Sequence, residues 1–327
     1  MINASPSQDT PSRSQSAVPA APVSRIGIAL VAPGSFATEP ESIGRGIARL
    51  EAQGILVHNY YEHDARHLRF GGTDAARLAQ LEAAAADPDV QIVMAIRGSY
   101  GMTRLLPRID FDRMADSGKL FVGFSDVTAF HMALYARRRV ASYAGPMFSG
   151  DFGAAEPVDF TLDDFWHCLA GPSHTVRGQG AGNPALDVRG TAWGGNLSMI
   201  VSLLGTPYFP RIDDGILFLE DIAEHPYRVE RMLLQLMHAG VLARQRAIVL
   251  GDFSGYRLGT VDNGYDFDHM LAHLRQELPC PVLTGLAFGH IARRVTLPFG
   301  AQGHLLSDAD GWTLTLSDYP TVRLAGT

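Results

Sequence analysis

The sequence predicts an α/β protein with two domains, the first an N-terminal doubly wound parallel-sheet domain and the second a smaller C-terminal α/β domain. From residue 26 onwards, short apolar runs typical of buried strands alternate with amphipathic runs typical of helices. Such alternation indicates a parallel sheet with helices on both faces. A length of 327 residues favours about two domains, and 46% apolar content can fill sizeable cores.

The first domain is predicted over 25–155. In chain order we expect a strand over 26–32, a helix over 42–53, a strand over 55–60, a helix over 74–86 and a strand over 92–96. The apolar run 119–122 predicts another buried strand. Apolar residues at helical spacing over 127–137 predict the helix that follows it.

A linker is predicted over 156–185, where proline, glycine and mixed polarity interrupt the regular patterns. The second domain is predicted over 186–327. It should contain a helix over 196–204, a strand over 216–219 and a helix that begins at Pro226 and stops at Gly240.

The first 24 residues are rich in Ser, Pro, Ala and Gln and lack the basic start and uninterrupted apolar run of a secretory signal. We expect a disordered tail and a cytoplasmic protein. No apolar run reaches the length of about 18 residues that a membrane span requires. We therefore expect no membrane association.

The composition also bears on possible ligands. A net charge of −7 without a basic stripe argues against nucleic acid as a partner. Cys168 and Cys280 are far apart and predict neither a disulfide framework nor a metal site. The acidic stretch 262–268 lacks the glycine and glutamate positions of an EF-hand, so we expect a loop and no metal.

Ser125 lies where the strand over 119–122 meets the following helix. A turn of this kind lifts a side chain off the sheet and directs the N–H groups of the helix's first turn at a nearby anion, with Asp126 supplying the closest one. The local pattern is Gly-x-Ser-x-Val, which lacks the final glycine of a nucleophile elbow. A serine that only caps the helix is the commoner case, so the interpretation depends on other residues.

Two further segments supply possible partners for this serine. Glu220 ends the apolar strand over 216–219, at the edge where sites of open α/β sheets gather. His290 follows a glycine in a loop. Singly, each is more often a surface residue. Together with Ser125 they supply the three groups of a catalytic triad. A serine hydroxyl needs an imidazole to take its proton, and the imidazole needs a carboxylate to fix its tautomer.

Six segments in order resemble the motifs of the LD-carboxypeptidases. They are Ala29-Leu30-Val31-Ala32-Pro33-Gly34-Ser35, the run over 96–106, Gly123-Phe124-Ser125-Asp126-Val127-Thr128, Gly194-Gly195-Asn196-Leu197, Leu219-Glu220-Asp221-Ile222 and Phe288-Gly289-His290. The resemblance covers essentially everything after residue 25. It implies a serine peptidase with a Ser-Glu-His triad at Ser125, Glu220 and His290, assembled in a cleft between the two domains.

The resemblance also implies an oxyanion hole built from the backbone N–H groups of Gly98 and Asp126. Members of the family typically carry Arg-Gly-Gly-Tyr-Gly, whereas this chain has Ser99 at the second glycine. A serine adopts a positive φ only with strain.

The implied substrate is a murein tetrapeptide from recycled cell wall, cut between the L-centre of meso-diaminopimelate and the terminal D-alanine. No cofactor is needed, and family likeness suggests a homodimer. A D-residue with a free carboxylate calls for cations and N–H donors near the cleft. The candidates are Arg97, Tyr100, Arg104 and Asn196.

Two alternatives stay open at this point. A microcin C immunity peptidase of the same fold would cleave an aminoacyl linkage in a nucleotide-peptide, and Trp193 could offer its base a stacking face. A non-catalytic protein could instead use the cleft to bind peptides. The presence of all three triad residue types argues against the second alternative.

Overall fold

The computed structural model describes residues 26–323. The predicted tail over 1–24 lies outside the described residues. Two sheets, each flanked by helices, form the described part of the chain, which confirms the predicted α/β class.

The elements of the first half follow the predicted alternation. They are β1 Gly27–Val31, α1 Glu41–Ala52, β2 Leu56–Asn59, α2 Asp74–Ala86, β3 Ile92–Ala95, α3 Met102–Leu105, α4 Phe111–Asp116, β4 Leu120–Gly123, α5 Thr128–Arg138 and β5 Ser142–Ala144. The sequence analysis did not predict the two short helices α3 and α4 or the strand β5. None of the three is long enough to show a clear period.

The elements of the second half are α6 Asp159–Ala170, β6 Ser173–Gly178, β7 Leu186–Asn196, α7 Leu197–Ser202, β8 Gly215–Glu220, α8 Pro226–His238, β9 Gln245–Leu250, α9 Phe267–Glu277, β10 Val282–Leu283, β11 Leu297–Phe299, β12 Gln302–Ser307 and β13 Trp312–Ser317. In this half, the predicted elements are α7, β8 and α8, and the sequence analysis did not predict the others.

The first sheet has the strand order β11-β5-β4-β3-β1-β2, and β1 to β5 are all parallel. The order 2-1-3-4-5 is a doubly wound arrangement, in which ligands bind beyond the carboxyl ends of the strands. Strands β1, β3 and β4 are buried along their whole length, as expected for strands covered on both faces.

The second sheet has the order β10-β9-β8-β7-β12-β13-β6. Its strands β7 to β10 pair in parallel, and β12, β13 and β6 extend the sheet in antiparallel fashion. The fully buried β8 lies near the middle of this sheet and ends at Glu220.

Two features connect the halves of the chain more closely than the sequence indicated. The segment 156–185, predicted as a linker, contains α6 and β6, and β6 pairs with β13 of the second sheet. Strand β11 comes from the C-terminal half but pairs antiparallel with β5 of the first sheet. The domain boundaries stay a prediction.

The close pairing of β7 and β8 depends on a glycine. Gly194 has φ +147°, and a Cβ atom there would lie 1.8 Å from the carbonyl oxygen of Phe218 on β8. Neither backbone can move away without breaking the central ladder of the second sheet. Only glycine therefore fits at this position.

We expect Gly194→Ala to lower the free energy of unfolding by more than about 3 kcal/mol, because it combines a backbone clash with a strained φ. Gly44→Ala is the matched control. Gly44 lies in α1 with open space around its would-be Cβ, so the same change should stabilise the helix by up to about 1 kcal/mol. Chemical denaturation of both variants checks the pair, and equal effects would contradict this account.

Candidate active site

Ser125 lies at the corner between β4 and α5, as the sequence predicts. Its φ is +59°, while the preceding Phe124 is extended, and a single 3-10 turn over Ser125–Val127 leads into the helix. A serine in this region is strained by roughly 1–3 kcal/mol, a cost that recurs at functional sites because it directs one side chain. The turn thus presents the Ser125 hydroxyl at the carboxyl edge of the first sheet.

His290 and Glu220 come from the other half of the chain and meet this serine. His290 Nε2 lies 3.1 Å from Ser125 Oγ, and His290 Nδ1 lies 2.7 Å from Glu220 Oε2. Gly289 allows this approach, because it has φ +133° and a Cβ there would lie 3.1 Å from the Cβ of Glu220. The three side chains form a continuous hydrogen-bonded line.

Glu220 is completely buried and held from two sides. Asn196 donates its amide to Glu220 Oε1 at 3.1 Å and to Asp221 Oδ1 at 2.9 Å, while its own Oδ1 accepts the N–H of Met199. Burial raises the pKa of the Glu220 carboxyl, and the hydrogen bond with His290 opposes that rise. The carboxylate is therefore fixed in position and directed at the imidazole.

The loop that carries His290 is anchored to α6. The hydroxyl of Thr161 on this helix donates to the carbonyl of Ala292 at 2.7 Å and accepts the N–H of Arg294 at 3.0 Å. Arg294 is buried, forms an ion pair with Asp151 and lies over the Phe124 ring. Sequence analysis did not identify these contacts, because they join residues more than 100 positions apart and leave no local pattern.

Two backbone N–H groups suit an oxyanion hole. Asp126 belongs to the first helical turn after Ser125, where N–H groups precede the first intrahelical bonds. The backbone of Gly98 packs directly on the serine, since a Cβ there would lie 2.9 Å from Ser125 Cβ and 3.2 Å from Oγ. Ser99 adopts φ +65°, the conformation for which glycine is the better residue.

The side chain of Asp126 holds the loop that contains Gly98. Its Oδ2 accepts the N–H of Met102 at 2.8 Å, and burial raises the pKa of this carboxyl to about 6. On the other side of the loop, the fully buried Arg77 donates to the carbonyl of Gly101 at 3.0 Å. The loop is thus clamped between a carboxylate and a guanidinium.

The site opens into a cleft of about 950 Å³ lined from both halves of the chain. Arg97 and Asn196, two of the predicted substrate-binding residues, line it. Tyr100 and Arg104 are not among its lining residues. Tyr100 packs near Phe70, and the Arg104 guanidinium bonds the Asp74 carboxylate at 2.8 Å.

Further polar residues of the cleft were missed by sequence analysis. The cleft is also lined by Arg69, Ser149, Glu156, Asp221, Glu224 and Arg294. Most of them lie in loops without a periodic or motif signal. Asp221 directly follows Glu220, so a paired-acid pattern was the one available clue.

Trp193 does not present the stacking face considered above. The indole is 1% exposed, and its Nε1 donates to Gln245 Oε1 at 2.8 Å. Its ring therefore belongs to the core of the second half and is closed to a nucleobase.

Residues 26–323 contain no group of three or more His, Cys, Asp or Glu side chains placed to bind a metal ion. Across the same described span, no helix combines the length and apolar character needed to cross a bilayer.

The geometry permits general-base activation of a hydroxyl. With the proton on His290 Nδ1 donated to Glu220, the lone pair of Nε2 faces the Ser125 hydroxyl and can take its proton. The N–H groups of Asp126 and Gly98 belong to the turn that carries Ser125 and to the loop that packs on it, and groups of this kind can stabilise the negative charge that develops on the oxygen of an attacked carbonyl.

Comparisons with known proteins agree on one family. The LD-carboxypeptidase N-terminal domain matches residues 28–145, and the LD-carboxypeptidase C-terminal domain matches residues 189–305. A putative carboxypeptidase of Streptomyces coelicolor is 34% identical and covers 83% of this chain and 86% of its own length. The murein tetrapeptide carboxypeptidase of Pseudomonas aeruginosa is 29% identical and covers 87% of this chain and 94% of its own length.

A solved structure gives the same relationship. The crystal structure of muramoyltetrapeptide carboxypeptidase from Oxalobacter formigenes superimposes with a TM-score of 0.87 at 49% identity. The match covers 90% of this chain and 100% of the other. The similarity therefore extends over both halves of the chain.

The buried Asp126 carboxyl predicts a specific pH dependence of stability. Its folded-state pKa of about 6 lies above the ordinary value of 3.8, so the folded protein binds more protons and this group's contribution is lost as pH rises from about 4 to about 6. The free energy of unfolding of Asp126→Asn, relative to wild type, should increase by up to about 3 kcal/mol between pH 4 and pH 7. Denaturation at several pH values measures it.

A difference between Asp126→Asn and wild type that does not change with pH would mean that the Asp126 carboxyl titrates alike in the folded and unfolded chains.

Proposed function

This chain belongs to the LD-carboxypeptidase family, and we propose that it is a serine carboxypeptidase that removes the terminal D-alanine from murein tetrapeptides. The observation that carries the proposal is the hydrogen-bonded line from Ser125 through His290 to Glu220, which opens into the cleft. A binding protein has no chemical need for that arrangement.

In the proposed acylation step, Ser125 Oγ attacks the carbonyl carbon of the scissile amide while its proton passes to His290 Nε2. The resulting oxyanion accepts hydrogen bonds from the N–H groups of Gly98 and Asp126. Glu220 stabilises the imidazolium and keeps its Nδ1 proton in place. His290 then gives the proton to the amide nitrogen, the C–N bond breaks, and D-alanine leaves.

Deacylation repeats the same proton transfers with water. His290 removes a proton from a water molecule that attacks the ester carbonyl of the acyl-enzyme. Collapse of the second tetrahedral intermediate returns the proton to Ser125 Oγ and releases the shortened peptide. The mechanism uses only groups of the chain and water.

The preferred bond is proposed to be that between the L-centre of meso-diaminopimelate and D-alanine, in a cytoplasmic homodimer that recycles cell-wall peptides. The murein-directed activity named for its relatives supports the class of substrate. The bond, the compartment and the assembly are expectations from the family resemblance. Asn196, first expected to bind substrate, is better explained as a positioning residue, because its amide bonds Glu220 and Asp221. Arg97 stays a candidate for substrate binding.

The microcin-type alternative has less support. Its sequence argument depended on Trp193 as a stacking face, and that indole is buried.

The proposed reaction is tested by incubating the protein with a diaminopimelate tetrapeptide and assaying free D-alanine. We expect release by the wild type and a loss on the order of 10⁴-fold or more in Ser125→Ala and in His290→Ala. The double variant should be little worse than either single one, since the two residues act as one unit. Absence of D-alanine with the wild type would overturn the function. Retention of about a tenth of kcat by Ser125→Ala would exclude it as the nucleophile.

Glu220→Gln tests the third member of the line. The change keeps the shape but removes the charge that stabilises the imidazolium, so kcat should fall on the order of 10³- to 10⁴-fold with little change in KM. Asp221→Asn is the neighbouring control. Asp221 Oδ2 caps the N–H of Ser198 and the carboxylate makes no bond to His290, so its effect on kcat should be far smaller. The reverse ranking would make Asp221 the orienting acid.

A further inference from the structure

Arg69 is a cation in the cleft without an acidic partner. Of the three arginines that line the cleft, Arg294 is paired with Asp151, whereas Arg69 and Arg97 have no carboxylate at ion-pair distance within residues 26–323. A guanidinium without an ion-paired carboxylate, in a cleft that the candidate nucleophile also lines, is available to a ligand carboxylate.

The backbone of Arg69 is fixed. It belongs to a tight turn in which His67 and Phe70 exchange N–H to carbonyl bonds of 3.1 and 2.9 Å. The hydroxyl of Ser35 donates to the carbonyl of Arg69 at 2.7 Å. The turn therefore fixes the point from which the Arg69 side chain extends.

The side chain of Arg69 is held as well. Its Nη2 donates to Ser99 Oγ at 2.9 Å, and its guanidinium carbon lies 5.8 Å from the centre of the Tyr100 ring. One N–H edge of the guanidinium is thus occupied, and other donors of the planar fork are left for a carboxylate.

Ser99 is unusual because it occupies a conformation that favours glycine, with φ +65°. A glycine would relieve the strain but could not make the hydrogen bond to Arg69. Ser99 also follows Gly98, whose backbone packs on Ser125. The hydroxyl of Ser99 therefore links the guanidinium to the loop that faces the nucleophile.

We propose that Arg69, positioned by Ser99, binds the free terminal carboxylate of the substrate, an inference that rests on the proposed carboxypeptidase function. In a carboxypeptidase this carboxylate belongs to the residue directly after the scissile carbonyl. Ser99 stands one residue from Gly98, the candidate donor to that carbonyl. The guanidinium that bonds Ser99 is therefore attached to the residue next to that donor, in the cleft that Ser125 also lines.

The charges elsewhere in the cleft favour the same placement. Glu156 and Glu224 also line it and would repel a carboxylate. An anionic terminus is therefore directed towards the arginines. The inference predicts that selectivity for a free carboxylate over an amide depends on Arg69.

The test compares two tetrapeptides, one with a free terminal carboxylate and one with a terminal carboxamide, by the KM of the first and the inhibition constant of the second. The wild type should prefer the acid by about tenfold to a hundredfold. Arg69→Gln should raise the KM of the acid by a similar factor, with kcat within about threefold and amide binding unchanged. Arg69→Lys should be intermediate, since an ammonium cannot bind in a bidentate manner.

Arg66→Gln is the matched control, because it removes the same charge three residues earlier on a side chain outside the cleft. It should keep the wild-type preference. Equal melting temperatures of the variants would show that each is folded. An Arg69→Gln variant that is folded and keeps the preference overturns the inference, as does a preference that is lost in Arg97→Gln instead.

Ser99→Ala and Ser99→Gly separate the effect of the Ser99 hydroxyl on substrate binding from the effect of its backbone strain on stability. Both remove the hydrogen bond and should raise the KM of the acid equally, by about threefold, while the glycine variant is the more stable of the two. Neither should add to the effect of Arg69→Gln. Unchanged KM in both would remove Ser99 from the inference.

Two controls separate this inference from its premise. A wild type that releases no D-alanine from the acid peptide overturns the proposed function itself. A peptide amidated only at the side-chain carboxyl of diaminopimelate should still require Arg69, and loss of that requirement would mean that Arg69 binds the other carboxylate.

Discussion

The site depends on holding Ser125 and His290 in hydrogen-bond contact, although Ser125 follows β4 and His290 lies far along the chain in the loop between β10 and β11. A proton-transfer pair is useful only if its geometry is maintained to within a fraction of an ångström. Close contacts beside the site meet this requirement. The N–H of Asn196 donates to Thr128 Oγ1 at 3.1 Å, and Gly195 packs so closely on Thr128 that a Cβ there would lie 2.5 Å from the hydroxyl. The end of β7 and the start of α5 are thus joined next to Ser125.

The polar groups around the cleft contribute little to the stability of the fold. Their contacts hold the candidate catalytic groups in position. Ser99 and Ser125 both hold a positive φ, and Asp126 is a buried carboxylate that would be easier to accommodate in water. The surrounding contacts hold each residue in its unfavourable conformation or environment. One example is the hydrogen bond from the N–H of Met102 to the Asp126 carboxylate. The fully buried strands β1, β4 and β8 supply the hydrophobic free energy that offsets these strained and desolvated groups.

The sequence predicted the parts of the site that have local causes. A buried strand followed by a helix places Ser125 at a corner, and an apolar strand that ends in an acid places Glu220 at a sheet edge. Contacts between residues far apart in the chain give no such local pattern in the sequence. Nothing near Arg69 indicates that its guanidinium meets Ser99, and nothing near Thr161 indicates that its helix supports the loop of His290. The three residues of β11 include a proline and are too few to reveal a strand by alternation.

The position of β11 has a consequence for synthesis of the chain. This strand covers the outer edge of β5, yet it lies more than 150 residues further along. On the ribosome, the first sheet therefore emerges with an unpaired edge that stays open until most of the second half has been translated. Open edges are prone to pairing with other chains. A short strand such as β5 offers few backbone groups to a neighbour, which limits that hazard while the nascent chain waits for its own C-terminal segment.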